Sequence, residues 1–242
     1  MTYSDANSYE SNLIRGIDET RPWDLLEVIR RYCKKTDTLL DIGCGTAFKT
    51  IQIADCVKAI SGIEPNKKMR QKAIENIENS DIGNITITDG KAEEIPFDDN
   101  SFDIVTCMVA PHVTKEVHRI LKKGGYAILE KIGDRDKFDL KKEFDTSGEA
   151  LRGQFCEFGP GERLKKYEEE FRKLFSLVST SNGFWNTFYS IEGIKILLEQ
   201  TPSIKDYNEE RDSGALESVQ KKYMTDKGIK LTQNRHLIIA QK

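Results

Sequence analysis

The chain has 242 residues, of which 38% are hydrophobic and 32% are charged, and its net charge at pH 7 is −3. This composition excludes a disordered chain, and no apolar run approaches the roughly 18 residues of a membrane-spanning helix. The negative net charge, without a basic patch, disfavours RNA or DNA as the main partner.

Five cysteines are spread along the chain without a CxxC pair. An odd number without paired spacing predicts reduced thiols, and it indicates neither a disulfide framework nor a metal site. The N-terminal stretch MTYSDANSYESN is polar, unlike a secretory signal. We therefore expect a cytoplasmic protein, and the sequence does not decide its oligomeric state.

The first 132 residues alternate between predicted helices and strands. Thr20 and Pro22 are suited to begin a helix that continues to Cys33. Gly124 and Gly125 are expected to end a later helix. The predicted strands are 38–42, 58–64, 84–90, 101–108 and 126–132, with helices at 48–56, 67–77 and 113–121. This alternation predicts an α/β protein with a doubly wound, mostly parallel sheet and helices on both faces.

The second half has a different pattern. Residues 133–175 are highly charged and mostly helical by prediction, and 176–189 is either a strand pair or one bent strand. Apolar spacing predicts two further helices, near 191–198 and 216–223. The segment HLIIAQK, residues 236–242, is predicted to be the last strand.

The stretch TLLDIGCGTAFKT predicts a ligand-binding turn. Gly43 and Gly45 permit a tight strand-to-helix turn whose backbone N–H groups face a ligand. Glu64 ends the next strand and is placed to accept both hydroxyls of a ribose. Phe48 stands where dinucleotide folds have a third glycine, which argues against NAD and a pyrophosphate. Asp41 would repel a phosphate but suit a cation, so the pattern favours S-adenosyl-L-methionine.

Four segments in sequence order resemble the class I S-adenosylmethionine-dependent methyltransferases. They are LLDIGCGT (39–46), GIEPNKKM (62–69), GKAEEIPFDDNSFDIV (90–105) and HRILKKGGYAILE (118–130). The chain looks most like the small-molecule branch that includes the ubiquinone and menaquinone methyltransferases, over about residues 36–132. The resemblance implies a Rossmann-like fold and an enzyme with S-adenosyl-L-methionine as its cofactor.

The resemblance also implies roles for individual residues. Asp41, Gly43 and Gly45 would line the methionine moiety and the sulfonium, and Glu64 would bind the ribose. Ala92 and Glu93 would meet the edge of the adenine. The other predicted cofactor-binding residues are Cys44, Pro65, Lys91 and Cys107.

The chain departs from the family pattern at two positions. Ala47 replaces the third glycine of the loop, which is a small change. Lys91 stands where many relatives carry an aspartate that accepts a hydrogen bond from the adenine amine, and a lysine side chain cannot accept one. That contact is left to Asp89, Glu93 or the backbone.

The segment CMVAPHV, after the fourth predicted strand, is expected to face the substrate. It lacks the Asn/Asp-Pro-Pro-Tyr sequence of enzymes that methylate base or amide nitrogens, which weakens a nucleic-acid or glutamine substrate. His112 is the predicted catalytic residue, as a base or as a hydrogen-bond donor to the substrate. The alternatives are that His112 caps the next helix or contacts the cofactor. Arsenic methylation is disfavoured, because Cys107 alone is well placed.

Substrate contacts are predicted from elements outside the common core, namely Tyr9, Arg15, Phe155 and Trp185. Aromatic side chains near a cofactor can form an apolar pocket, or they can attach helices to the sheet. We predict one domain, with N-terminal helices (1–35), a cofactor-binding core (36–132), a helical cover (133–233) and a last strand (234–242). The favoured function is methyl transfer to a small molecule. The alternatives are a protein or RNA methyltransferase and a cofactor-binding protein without methyl transfer.

Overall fold

The computed structural model describes residues 12–145 and 151–242. The chain divides into two compact units. The parallel-sheet unit comprises Trp23–Lys131, Leu164–Ser181 and His236–Lys242, and the antiparallel unit comprises the described residues of Met1–Pro22, Ile132–Arg163 and Asn182–Arg235. These units are groups of packed segments, and the predicted domain limits stay a prediction.

Helices and strands alternate in the first half of the chain, as the sequence predicts. In chain order the elements are α1 (Asn12–Arg15), β1 (Ile17–Asp18), α2 (Leu25–Tyr32), β2 (Thr38–Ile42), α3 (Phe48–Ile51), β3 (Ala59–Ile63), α4 (Lys67–Glu78), β4 (Ile85–Thr88), β5 (Phe102–Met108), α5 (Thr114–Ile120), β6 (Leu121–Ile132), α6 (Phe138–Glu143), α7 (Glu162–Arg172), β7 (Leu177–Tyr189), α8 (Ile191–Gln200), α9 (Ser213–Tyr223), β8 (Met224–Thr225) and β9 (Gly228–Gln241). Long strands β7 and β9 contribute residues to both units.

The parallel-sheet unit is built on the strand order β4-β3-β2-β5-β6, followed by parts of β9 and β7. Strand β2 pairs in parallel with β3 on one side and with β5 on the other. Strands β3 and β4 lie on one side of β2, and β5 and β6 lie on the other side. The topological switch point of the sheet is therefore between β2 and β5. In open α/β sheets this switch point lies beside the crevice where ligands bind, at the carboxyl ends of the strands.

Helices cover both faces of this sheet, because successive strand residues face opposite sides. Leu40 and Val105 pack on one face with apolar residues of α5 and α7. Leu39 and Ile104 pack on the other face with α2. The predicted α/β class and mostly parallel sheet are confirmed.

The antiparallel unit has a core of its own. β1 pairs with β7 in antiparallel register, and β8 does so with β9. Helices α1, α6, α8 and α9 contribute to one apolar cluster beside β9, in which Leu140, Ile194, Leu216 and Leu231 are buried. Along residues 12–145 and 151–242, no helix is long and apolar enough to cross a membrane.

Helix boundaries differ from the sequence prediction at three places. Helix α3 ends at Ile51 rather than at residue 56, and Ala54–Cys56 form a separate 3-10 turn. Asp24, not Thr20, caps α2, and its carboxylate accepts hydrogen bonds from the backbone of Leu26 and Glu27 at 2.9 and 3.3 Å. Helix α5 ends before Gly124, because Leu121 already has extended backbone angles and begins β6.

Three strands are longer or simpler than expected. Gly124 and Gly125 lie inside β6, where their backbone pairs with the last residue: Gly124 N donates to Lys242 O at 2.8 Å, and Lys242 N donates to Gly125 O at 3.0 Å. The segment 176–189 is one strand, β7. The last strand begins at Gly228 rather than near residue 236, so part of the segment 133–233 is sheet and not helical cover.

Candidate functional site

The loop after β2 adopts the tight turn that its glycines predict. Gly43 and Gly45 have φ angles of 68° and 59°, and Ala47 has a φ of 60°. The backbone N–H groups of Gly43 and Cys44 donate to Ile63 O at 2.9 and 3.2 Å, which ties the loop to the end of β3. A Cβ atom at Gly43 would lie 2.4 Å from the Cβ of Ala110. The loop therefore fits closely between β3 and the segment that follows β5.

Ala47, and not Phe48, occupies the packed end of this loop. Ala47 is fully buried, whereas the Phe48 side chain is 39% exposed at the start of α3. The expectation that the Phe48 ring fills the position of the third glycine is therefore wrong.

Glu64 is held rigidly at the end of β3. Its Oε2 accepts from the Gly45 N–H at 3.0 Å, and its Oε1 accepts from the Asn66 N–H at 2.9 Å. The residue is 9% exposed. An ionised carboxylate has about four acceptor positions, so two remain for further donors such as the hydroxyls of a diol. Glu64, the residue predicted to bind the ribose, thus also holds the glycine loop in place.

Asp41 is a fully buried carboxylate at the end of β2. Its Oδ2 accepts from the Thr50 hydroxyl at 2.6 Å and its Oδ1 from the Thr106 hydroxyl at 3.0 Å. Burial raises the pKa of Asp41 to about 6, and the two hydroxyl bonds only partly offset this rise. The charge of Asp41 therefore changes near pH 6, which is within the range of ordinary binding experiments.

The predicted adenine-side residues lie on the turn after β4. Lys91 and Glu94 form an isolated antiparallel bridge, which leaves Ala92 buried between them and Glu93 exposed. Asp89, one of the acceptors left open for the adenine amine, pairs with Arg70 at 3.2 Å.

Two further predicted cofactor-binding residues are Pro65 and Cys44. Pro65 is exposed directly after Glu64. The thiol of Cys44 packs on β3, since a Cβ atom at Gly62 would lie 2.8 Å from its Sγ.

Cys107 is fully buried near the end of β5, and its Sγ donates to Ala110 O at 3.1 Å. Burial raises the pKa of the thiol, although the ammonium of Lys131 lies 3.3 Å from the Sγ. Lys131 also donates to Ala110 O. Val109, two residues after Cys107, has a φ of 65°, an unfavourable conformation for a β-branched residue that concentrates at functional sites.

His112 packs against two aromatic rings of α7 and is not the N-cap of α5. Its ring centroid lies 5.5 Å from that of Tyr167 and 5.6 Å from that of Phe171. Burial, and then the charge of Lys131, lower the pKa of His112 to about 3. The N-cap of α5 is Val113, so the capping alternative is wrong. A neutral imidazole of such low basicity suits hydrogen bonding better than proton abstraction. The catalytic role of His112 stays a prediction.

Comparison with known proteins bears on this arrangement. Residues 40–129 match the family model described as "Methyltransferase domain". Residues 40–129 are a methyltransferase domain. That span contains Asp41, the glycine loop, Glu64, Cys107 and His112.

Two curated relatives carry methyltransferase names. "Uncharacterized methyltransferase YcgJ" of Bacillus subtilis is 32% identical over 104 residues, which are 40% of this chain and 41% of that protein. "Demethylmenaquinone methyltransferase" of Listeria welshimeri is 32% identical over 102 residues, 38% of this chain and 43% of that protein. In these two relatives, the chain thus matches less than half of their length.

Solved structures show the same fold over most of the chain. The crystal structure of the Bacillus YcgJ protein has a TM-score of 0.66 at 19% identity and covers 90% of this chain and 97% of that one. A Haemonchus contortus phosphoethanolamine N-methyltransferase, in complex with phosphomonomethylethanolamine and S-adenosylhomocysteine, has a TM-score of 0.60 at 20% identity. It covers 99% of this chain and 58% of that one. The predicted resemblance to S-adenosylmethionine-dependent methyltransferases is confirmed.

The predicted substrate residues lie outside the methyltransferase domain. Tyr9 falls outside the described residues. Arg15 is exposed and belongs to the antiparallel unit, as do Phe155 and Trp185. Trp185 is 8% exposed and its indole N–H donates to Asp18 at 3.0 Å. Phe155, with a φ of 65°, is stacked by the Arg163 guanidinium at 3.4 Å. Their role as substrate contacts stays a prediction.

Sequence reasoning missed several residues of the methyltransferase domain's site. Thr50 and Thr106 hold Asp41 from 9 and 65 residues away in sequence. Ala110 and Lys131 shape the segment after β5. Only Lys131 had a visible signal, since the charged pair Glu130 and Lys131 follows the apolar residues Ala127–Leu129 of β6 near the carboxyl edge of the sheet.

Proposed function

We propose that this chain transfers a methyl group from S-adenosyl-L-methionine to a small-molecule acceptor. The observation that carries the proposal is the geometry of Glu64, whose two oxygens are each fixed by a backbone N–H beside the glycine loop. A carboxylate fixed in this way, with acceptor positions remaining, suits the two adjacent hydroxyls of a ribose.

The other residues at this edge fit the same cofactor. Gly45 leaves space, since a Cβ atom there would meet nothing nearer than Met69 Cε at 3.5 Å. Asp41 offers a negative charge and no residue of the loop offers a cation, which suits a sulfonium better than a phosphate. When bound, S-adenosyl-L-methionine supplies an activated methyl group for a nucleophile.

The chain's own residues would contribute mainly by positioning. Thr50 and Thr106 fix the orientation of the Asp41 carboxylate, and Glu64 fixes both ligand and loop. Lys131, through Ala110 O, holds the segment that is expected to face the acceptor. Positioning of this kind can supply much of the rate of a displacement reaction.

A small-molecule acceptor is supported by the relatives. Demethylmenaquinone methyltransferase is named for a small-molecule acceptor, and the Haemonchus structure holds phosphomonomethylethanolamine. The absence of an Asn/Asp-Pro-Pro-Tyr sequence after β5 also disfavours base and amide nitrogens as acceptors.

We expect the protein to bind S-adenosylhomocysteine and to bind no NAD, because the loop offers a diol acceptor and a carboxylate rather than a pyrophosphate site. Isothermal titration calorimetry with both ligands checks this. Transfer of labelled methyl groups into a metabolite extract then tests turnover. Label confined to protein or RNA fractions would favour those alternatives, and binding without any labelling would favour a cofactor-binding protein.

The preference for the cationic cofactor is expected to rise with pH through about 6. Above that value Asp41 is ionised and attracts the sulfonium, whereas below it the buried carboxyl is neutral. We expect the ratio of the dissociation constant of S-adenosylhomocysteine to that of S-adenosylmethionine to rise about fivefold to tenfold between pH 5 and 7. Both ligands carry the same amino group, so its titration cancels in the ratio.

The matched control for this titration is Asp41→Asn, which keeps the acceptor oxygen but cannot ionise. The ratio should then be flat with pH. A wild-type ratio that is equally flat over this range contradicts the placement of Asp41 near the sulfonium.

A further inference from the structure

The antiparallel unit buries an ammonium group without an ion pair. Lys141 is 1% exposed, and its Nζ donates to the backbone carbonyl of Gln154 at 2.7 Å. Among residues 12–145 and 151–242, no carboxylate forms an ion pair with it. Burying a charge is costly unless an opposite charge compensates it. Lys141 is therefore a cation that lacks a direct counter-ion.

The carboxylate whose charge acts on Lys141, that of Asp136, is already engaged by other cations. Asp136 is 2% exposed, forms an ion pair with Lys137 at 3.0 Å and is paired closely with Arg235. The backbone N–H of Asn234 donates to it as well, at 3.1 Å. We call Lys137, Lys141 and Arg235 the cation cluster. Asp136 therefore forms ion pairs with Lys137 and Arg235, and it forms none with Lys141.

The protonation of the cluster is compatible with binding an anion. Burial lowers the pKa of Lys137 to about 8 despite the attraction of Asp136. Lys137 therefore stays mostly protonated at pH 7. Burial also lowers the pKa of Lys141; the charge of Asp136 opposes this shift, and the charge of Arg235 adds to it. An added negative charge would relieve both effects.

The cluster adjoins the aromatic residues that the sequence singles out for substrate binding. The guanidinium of Arg235 lies 5.7 Å from the ring centroid of Trp185. The guanidinium of Arg163, whose charge acts on Lys141, lies 3.4 Å from the ring centroid of Phe155. Cations and aromatic faces together are typical of a small-molecule site that orients an anionic ligand.

A buried acceptor beside Arg163 also lacks a partner. The Oδ1 atom of Asp134 is inaccessible and accepts no hydrogen bond from the described residues. The Nε of Arg163 lies 4.0 Å from it, too far for a hydrogen bond. Buried polar atoms are almost always paired in folded proteins, so Oδ1 is expected to accept from a donor outside the described residues.

We infer that the cation cluster of Lys137, Lys141 and Arg235 binds the anionic group, a carboxylate or a phosphate, of a small-molecule ligand. The negative charge of that group would compensate Lys141.

Thermal unfolding of the full chain in inorganic phosphate, acetate or chloride, at equal ionic strength, tests the inference. A specific anion at ten times its dissociation constant should raise the melting temperature of the wild type by about 3–6 °C above the chloride value. Lys141→Met should abolish this rise. Lys142→Met is the matched control, because the next lysine of α6 is 47% exposed and should keep the rise. A rise in melting temperature with phosphate indicates that the ligand carries a phosphate, and a rise with acetate indicates that it carries a carboxylate.

An equal rise in all three proteins, or no rise in the wild type up to about 50 mM of either anion, overturns the inference. Lys137→Met, measured by calorimetry with the active anion, gives a second test if Lys141→Met does not fold, and it should weaken binding at least tenfold. Unchanged affinity in Lys137→Met counts against the cluster. S-adenosylhomocysteine titrations on the same proteins separate the two proposals. Failure of anion binding with intact cofactor binding removes this inference alone.

Discussion

Gly43→Ala is expected to destabilise the protein by about 2–5 kcal/mol. The left-handed φ of 68° costs a non-glycine residue about 1–2 kcal/mol. The new methyl would also lie 2.4 Å from the Cβ of Ala110, and overpacking of that kind costs about 1–3 kcal/mol. Urea denaturation of wild type and variant measures the difference in unfolding free energy.

Two further variants separate the conformational cost from the steric cost. Gly45→Ala has a similar φ, but its methyl would meet only Met69 Cε at an ordinary 3.5 Å, so it should lose about 1–2 kcal/mol. Ala110→Gly in the Gly43→Ala background should recover the steric part and leave the conformational part. A double-mutant cycle reports this coupling, which we expect to reach about 1–3 kcal/mol.

Equal losses for Gly43→Ala and Gly45→Ala, with no coupling to Ala110, would contradict the close approach of the loop to the segment after β5. That approach matters for function, because it links the cofactor-side loop to the segment predicted to face the acceptor. A change in either should then affect both cofactor affinity and turnover.

Glu64→Ala is expected to weaken S-adenosylhomocysteine binding by about 100-fold or more. Hydrogen bonds to a charged group contribute about 1.5–3 kcal/mol each, and the carboxylate is proposed to accept two from the ribose. The variant also leaves the N–H groups of Gly45 and Asn66 without their partner, which loosens the loop. Calorimetric titration of both proteins measures the loss.

Two comparisons sharpen this test. Glu64→Gln keeps the shape of the side chain but turns one acceptor into a donor, so it should still lose at least tenfold in affinity. Glu78→Ala, at the exposed end of α4, removes the same charge and should leave the affinity unchanged. Wild-type affinity in Glu64→Ala would falsify the ribose assignment while leaving the fold untouched.

The fold of the parallel-sheet unit was largely predictable because its signals are local. The apolar run of β2 stops at a glycine, and the prediction of 38–42 matches its bounds. The periodicity of α4 and of α8 likewise placed those helices within about a residue or two. Hydrophobic spacing reports burial directly, and burial is what drives these elements together.

The errors have two different sources. Gly124 and Gly125 look like a helix stop, yet they lie in β6 because the last residue of the chain, Lys242, pairs with them. Pairing across such a sequence distance cannot be read from a window of neighbouring residues. The last strand begins at Gly228 rather than at the predicted His236, because its first part pairs with β8 just before it, Met224 with Ile229 and Thr225 with Gly228. That hairpin is local, and the sequence reasoning missed it.

The amino-acid sequence by itself determined the strand-to-helix turn after β2, the placement of Asp41 and Glu64 at strand ends and the resemblance to methyltransferases. These features depend on residues close together in the chain, and parallel pairing then brings strand ends to one edge. Only the tertiary structure decided that Thr50 and Thr106 hold Asp41, that Ala110 packs on Gly43 and that Lys141 is buried without an ion pair. Each of these depends on the packing of side chains that are distant in sequence, where burial changes the energy of a charge or a methyl group.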